Sequence, residues 1–287
     1  MPELPEVQAH AERLSAAFAG AVLERFVPIT FTALKTAVPL PERAYGASLT
    51  SVGRAGKYLL LQFAVAPAPG TPSPITFVVH LMQGGRLVVD DKQSAKPRNG
   101  QARFVFADSR ALLLTEAGRE RKAGVWCVEG DALTQAPLDR LGPDALALDT
   151  DGLAAAFAAH SMRLHTFLRD QRLIAGIGRM LANEVCHRAR VSPFASTGKL
   201  GPAGTAAVHE AIHGCIEDAL AYERTRTDMS SSADRPGAVH GRVGQPCTTC
   251  GSTIASVTYS GYTVAYCPTC QTGGKVLADN TTSRFVK

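Results

Sequence analysis

Residues 170–184, DQRLIAGIGRMLANE, carry a helical pattern on either side of a break at IAGIG (174–178). Gly176 and Gly178 let the backbone turn tightly between two helices, and Arg172 and Arg179 flank the turn. Exposed amides at a helix start beside an arginine make a phosphate site. Taken alone, the same pattern is more often a plain helix hairpin packed through glycine. Outward from this segment the chain stays helical. DGLAAAFAAH (151–160), RLHTFLRDQ (163–171), GRMLANEVCHRAR (178–190) and GTAAVHEAIHGCIEDALAYE (204–223) all read as helices. A polar stretch at 224–239 reads as a loop.

Upstream, the period changes. GKYLLLQF (56–63), ITFVVHLM (75–82), GRLVVD (85–90), ARFVF (102–106) and ALLLT (111–115) are short and rich in β-formers, with a hairpin turn at Asp108–Ser109. APAPGTPSP (66–74) is a proline-rich loop between strands. Ahead of the strands, Val7, Ala11, Leu14 and Phe18 share one helical face, and Pro5 suits the first turn. The fold class is therefore α+β: an antiparallel sandwich or barrel with an N-terminal helix, then a helical domain.

Downstream, Cys247-x2-Cys250-x16-Cys267-x2-Cys270 brackets an alternating hairpin, SVTYSGYTVAY. Two such thiolate pairs complete a tetrahedron around one ion. Structural zinc fits best, with iron or unligated thiols as alternatives. Cys127, Cys186 and Cys215 stand alone and read as small core residues. Three segments follow: 1–130, a β-rich domain; 131–239, a helical domain; and 240–287, the cysteine hairpin and tail.

The 287 residues carry a formal net charge of +5 and 45% hydrophobic residues. That describes a globular chain with a moderate basic excess, which fits a nucleic-acid partner. No apolar run reaches the ~20 residues of a membrane span. The N-terminus lacks the layout of a signal peptide. A cytoplasmic, nucleoid-associated monomer is expected.

The terminus itself, MPELPEV (1–7), is unusual. A residue as small as Pro2 normally lets Met1 be removed, leaving a secondary amine followed by the carboxylate of Glu3. An α-amine titrates near ~8 and can attack a sugar C1′ to give a Schiff base. Glu3 could move the protons that ring opening needs. A helix cap with proline in its first turn is the plain alternative, and Pro2, ahead of the helix, is expected to bury little area. Likewise Lys57, after Gly56, is by itself an ordinary surface lysine.

Taken together and in order, MPELPEV, GKYLLL, DQRLIAGIGRMLANE, HGRVGQPC and CTTC…CPTCQ resemble the formamidopyrimidine-DNA glycosylase and endonuclease VIII family, with PEL closer to the formamidopyrimidine branch. The resemblance spans nearly the whole chain. It implies an N-terminal β-sandwich with flanking helices and a helix-two-turn-helix domain with a four-cysteine zinc finger. Damaged double-stranded DNA would lie between the halves. It further implies a bifunctional DNA repair enzyme, a glycosylase and abasic-site lyase, with Pro2 as nucleophile, Glu3 as proton donor and Lys57 assisting elimination. Glu6 would position the terminus, and Cys247, Cys250, Cys267 and Cys270 would hold one zinc. The alternative is a non-catalytic protein that binds lesions or abasic sites on the same fold.

Several positions depart from the family pattern. In HLMQGGRL (80–87) the wedge residues Met82 and Gln83 are exchanged in order, and TEAGRERKAGVW (115–126) has no phenylalanine, leaving Arg119, Arg121 and Lys122 as candidates at the vacated position. The family asparagine after the glycine turn is Arg179, and the usual lysine just before it aligns with His165. The finger arginine is Tyr262. Because tyrosine is a neutral side chain, strand cleavage is expected to stop mainly at β-elimination, unless Lys275 or Arg284 of the tail supplies a cation.

Overall fold

The computed structural model describes residues 1–65, 74–118, 120–229, 234–259 and 261–278. They fall into two compact units. The first is Met1–Arg140 together with Glu223–Met229, and the second is Leu141–Tyr222 together with the rest of the chain from Ser230.

The first unit opens with α1 (Leu4–Phe18). Val7, Ala11, Leu14 and Phe18, the face expected from the sequence, enter its core. Eight strands follow: β1 (Leu23–Pro28), β2 (Ser48–Ala55), β3 (Tyr58–Ala64), β4 (Ile75–His80), β5 (Gly85–Val89), β6 (Gly100–Phe106), β7 (Ala111–Glu116) and β8 (Gly124–Glu129). They form two four-stranded sheets, β1-β6-β7-β5 and β2-β3-β4-β8. Every described pairing in them is antiparallel. The sheets meet face to face as a sandwich. Phe77 of β4 touches Phe104 of β6 and Phe26 of β1, with ring centroids 5.2 and 5.5 Å apart. Burying such aromatic pairs is the largest favourable contribution to a core of this kind.

The segment Glu223–Met229 belongs to this unit, although the sequence division placed it with the helical domain. Side-chain chemistry explains the difference. Arg13 donates to the carbonyls of Glu223, Arg226 and Asp228. Arg86 donates to that of Met229 at 2.9 Å. Arg224 meets both carboxylate oxygens of Glu12, at 2.8 and 2.7 Å.

The second unit contains α2 (Thr150–Ala159), α3 (Leu164–Arg169), α4 (Arg179–Arg188) and most of α5 (Gly201–Arg224). The α3–α4 connection needs a glycine, because Gly176 has φ +108°. Gln171 fastens the turn: its Oε1 accepts from the Gly176 N–H at 2.9 Å and its Nε2 donates to the Ile177 carbonyl at 2.8 Å. The hairpin β9 (Ala255–Tyr259) and β10 (Tyr262–Tyr266) precedes the short α6 (Pro268–Thr272). Gln271 of α6 donates to the Val191 carbonyl at 2.9 Å, just past α4. Among the described residues, no helix is long and apolar enough to cross a membrane.

Candidate active site and metal centre

Glu3 is the N-cap of α1 and forms a capping box with Glu6. Its side chain accepts from the Glu6 backbone N–H, while Glu6 Oε2 accepts from the Glu3 N–H at 2.8 Å. Two donors that α1 would leave orphaned are thereby satisfied, with negative charge at the positive end of the helix dipole. The box is also buried: Glu3 is 4% exposed and Glu6 1%. Pro2 is buried as well, against the expectation that it would bury little area. It directly precedes the N-cap.

Lys57 is 5% exposed, and so is no ordinary surface lysine. It follows Gly56, whose φ of +54° closes the β2–β3 turn. Arg54 fixes that turn by donating to the Gly56 carbonyl at 3.0 Å and to Gln8 Oε1 of α1 at 3.1 Å. Glu3, Glu6 and Lys57 are each held by further interactions, as buried charges must be. His80, at the end of β4, lies beside Tyr58 with ring centroids 4.5 Å apart and the rings tilted by 54°. Burial, then the nearby Lys57 charge, pushes its pKa down to about 4, so it adds no second cation beside Lys57 at neutral pH.

The two loops singled out for the wedge lie together. Met82 has φ +51° in a turn closed by the Gly85 N–H on the Leu81 carbonyl at 2.8 Å. A Cβ on Gly84 would come within 2.6 Å of the Ala117 carbonyl oxygen, so glycine lets this turn abut the β7–β8 loop. Met82 is partly buried against the core, whereas Gln83 is exposed. Arg121 and Lys122 are exposed on the adjoining loop, and Lys122 pairs with Glu120 at 2.6 Å. Glu116 ties the base of that loop by accepting from the Ala123 N–H at 2.6 Å. Arg119 lies outside the described residues, as does Arg284 of the tail.

In the second unit, Arg179 is the first residue of α4 and is exposed. Tyr262, the first residue of β10, is half-buried and stacks against His165, with centroids 5.7 Å apart at 23°. The guanidinium of Arg169 lies over the Tyr262 ring, 3.8 Å from its centroid. The sequence read this end of the finger as lacking a cation, and the structure lays one on the tyrosine. Sequence reasoning passed over Arg169 because it lies 93 positions before Tyr262 and matches no motif.

The four cysteines Cys247, Cys250, Cys267 and Cys270 present sulfurs all within 4.8 Å of one another. Sγ–Sγ distances of 4.0 Å (Cys247–Cys270) and 3.4 Å (Cys250–Cys267) are near the ~3.8 Å edge of a tetrahedron with Zn–S bonds of ~2.3 Å. The donor set thus fits one structural zinc. His187 Nε2 sits 3.3 Å from Cys247 Sγ, placed to donate to a thiolate. Glu184 of α4 anchors the approach to the hairpin, its carboxylate accepting from the N–H groups of Ala238, Val239 and His240 at 2.7, 3.1 and 2.8 Å.

Residues 1–124 match the formamidopyrimidine-DNA glycosylase N-terminal domain, and residues 141–231 match the H2TH domain of the same enzymes. A formamidopyrimidine-DNA glycosylase from Geobacter sulfurreducens is 30% identical, with 94% of this chain and 100% of that protein covered. An uncharacterized formamidopyrimidine-DNA glycosylase-like protein from Mycobacterium tuberculosis is 44% identical over 51% of this chain and 94% of its own. Among solved structures, the MutM (Fpg) protein of Thermus thermophilus superposes with a TM-score of 0.79 at 28% identity, covering 96% of this chain and 100% of that one. A Lactococcus lactis Fpg solved with Fapy-dG-containing DNA gives a TM-score of 0.82 at 21% identity, covering 94% and 100%, and so shares the fold. With both domains matched in order and a full-length relative at this identity, the chain belongs to the formamidopyrimidine-DNA glycosylase family.

Proposed function

We propose that this protein is a DNA repair glycosylase with abasic-site lyase activity, acting on oxidised or ring-opened bases in duplex DNA. The observation that carries the proposal is the buried capping box at the start of α1, which holds Glu3 and the neighbouring Pro2 in one place. Once Met1 is removed, the Pro2 amine attacks C1′ of an everted nucleotide and the damaged base departs with a proton. Glu3 protonates the ring oxygen as the sugar opens. The resulting iminium at C1′ acidifies the C2′ proton. Loss of that proton expels the 3′ phosphate, a β-elimination for which Lys57 is the nearby cation. Cleavage is expected to stop mainly there because Tyr262 is neutral, unless a neighbouring cation such as Arg169 on its ring completes the second elimination. Zinc would hold the β9–β10 hairpin in shape through the four cysteines and take no part in the chemistry.

The test is covalent capture. With borohydride and an abasic duplex, the full chain should be trapped, whereas Pro2→Gly and a variant with a blocked amino terminus should not. Duplexes each carrying one lesion would identify the base removed. Tight binding without an adduct would overturn the enzymatic proposal in favour of a lesion-binding protein.

A further inference from the structure

We propose that Arg169, laid on the face of Tyr262, is a DNA-phosphate contact that supplies the positive charge Tyr262 lacks. This inference rests on the DNA-directed function proposed above. His165 and Arg169 are four residues apart on α3, so both face the same neighbour. That neighbour is the Tyr262 ring at the tip of the zinc hairpin, which touches both side chains.

The charge at this place is uncompensated. Among the described residues neither Arg169 nor Arg179 is in an ion pair. The adjacent carboxylate, Asp170, is already taken by Arg172 at 2.9 and 2.6 Å. His165 cannot add to the charge at neutral pH: it is 2% exposed, and burial, then Arg169 and more weakly Arg179, drives its pKa down to about 3. Arg169 is the guanidinium the geometry places here, 3.8 Å from the centroid of the ring that stacks on His165. Two solvent-accessible guanidiniums without an ion-pair partner among the described residues leave this surface open to an anion.

The stacking favours phosphate. A guanidinium flat on an aromatic ring is held there by cation–π attraction, and its donors point outward in its own plane. That geometry presents a bidentate edge to two phosphate oxygens. Tyr262 then serves as a platform, a positioning residue, and Arg169 makes the contact. The pair divides between two side chains what one flexible arginine on the hairpin would do alone.

The experiment uses the full-length, zinc-loaded protein, with zinc content and melting temperature checked for each variant. Binding to an undamaged duplex is measured as a function of salt. Arg169→Gln should bind ~10-fold more weakly, and its slope of log K against log salt should fall by ~1, as expected for one lost phosphate contact. Arg169→Lys should recover the slope. Tyr262→Phe, which keeps the ring face, should bind as the wild type does. Tyr262→Leu should reproduce most of the Arg169→Gln loss, and the double variant should be no weaker than Arg169→Gln. An unchanged slope in folded Arg169→Gln, or additive losses in the double variant, would overturn the inference. Because this assay needs no chemistry, it separates the two proposals. A slope change with no borohydride adduct keeps the phosphate contact and loses the lyase, and the reverse result keeps the lyase alone.

Discussion

Removing the Glu6 carboxylate tests the proposed site at its base. In Glu6→Ala the Glu3 N–H, now paired at 2.8 Å inside the protein, loses its acceptor. An unmet buried donor costs about 1–3 kcal/mol. The lost charge at the α1 N-terminus adds ~0.3–1 kcal/mol. The sum is about 1.3–4 kcal/mol, and because Glu6 makes further interactions we take the upper part of that range, ~3 kcal/mol. For a unit of roughly 150 residues this corresponds to a fall in Tm of ~6–12 °C. Glu6→Gln keeps an acceptor oxygen of the same shape, so it should cost about 1 kcal/mol, or ~2–4 °C. The assays are a thermal melt followed by signals from the first unit, and the rate of borohydride trapping at a temperature where both variants remain folded. Trapping should slow more in the Ala variant, because the Pro2 amine, one residue ahead of the cap, is no longer fixed. An Ala variant that melts with the wild type, or a Gln variant as damaged as Ala, would refute the capping argument.

Cys267→Ser should release the metal and lower the melting temperature of the second unit, checked by metal analysis and calorimetry; retained zinc would contradict the assignment. Arg179→Ala should weaken damaged and undamaged duplexes equally and lower the salt slope by ~1, whereas a loss confined to damaged DNA would give Arg179 a different role. His10 and His80 are both pushed from 6.5 down to about 4, chiefly by burial. The unfolded chain therefore takes up protons first: stability is fully present above about pH 6.5 and lost as pH falls toward 4. At pH 5.5 each should cost the first unit ~1 kcal/mol. Denaturant midpoints followed by signals from the first unit at pH 7.5 and 5.5 should separate in the wild type and converge when both histidines are replaced by asparagine.

Much of the architecture could be read from the chain alone, because periodicity reports burial directly. The α1 face, the β-rich stretch and the two-helix turn at Gly176 all depend on neighbours within a few residues. The four cysteines were equally legible, since a metal site requires fixed spacing. What escaped notice was set by long-range packing. Lys57 is buried at a turn whose fastening, Arg54 to Gln8, reaches across 46 positions. The clamp made by Gln171 looks in sequence like any polar residue near a helix end. Arg169 acquires its significance only once β10 places Tyr262 beside α3.

The capture of Glu223–Met229 by the first unit has a consequence for biosynthesis. Met229 is 6% exposed in that unit's core, and the carbonyls from 223 to 229 occupy Arg13 and Arg86. A ribosome that has just released Arg140 has therefore not yet supplied everything the unit needs. The 89 residues from Leu141 to Met229 must follow, a wait of ~4–18 s at ~5–20 residues per second. During that interval a gap waits where Met229 will pack, and two arginines lack their native acceptors. The sandwich is then open to premature association, and a fragment ending at Arg140 would stay in that state permanently. A recombinant version of the first unit should accordingly carry residues 223–229 on a short linker, restoring by covalent connection what the native chain delivers late.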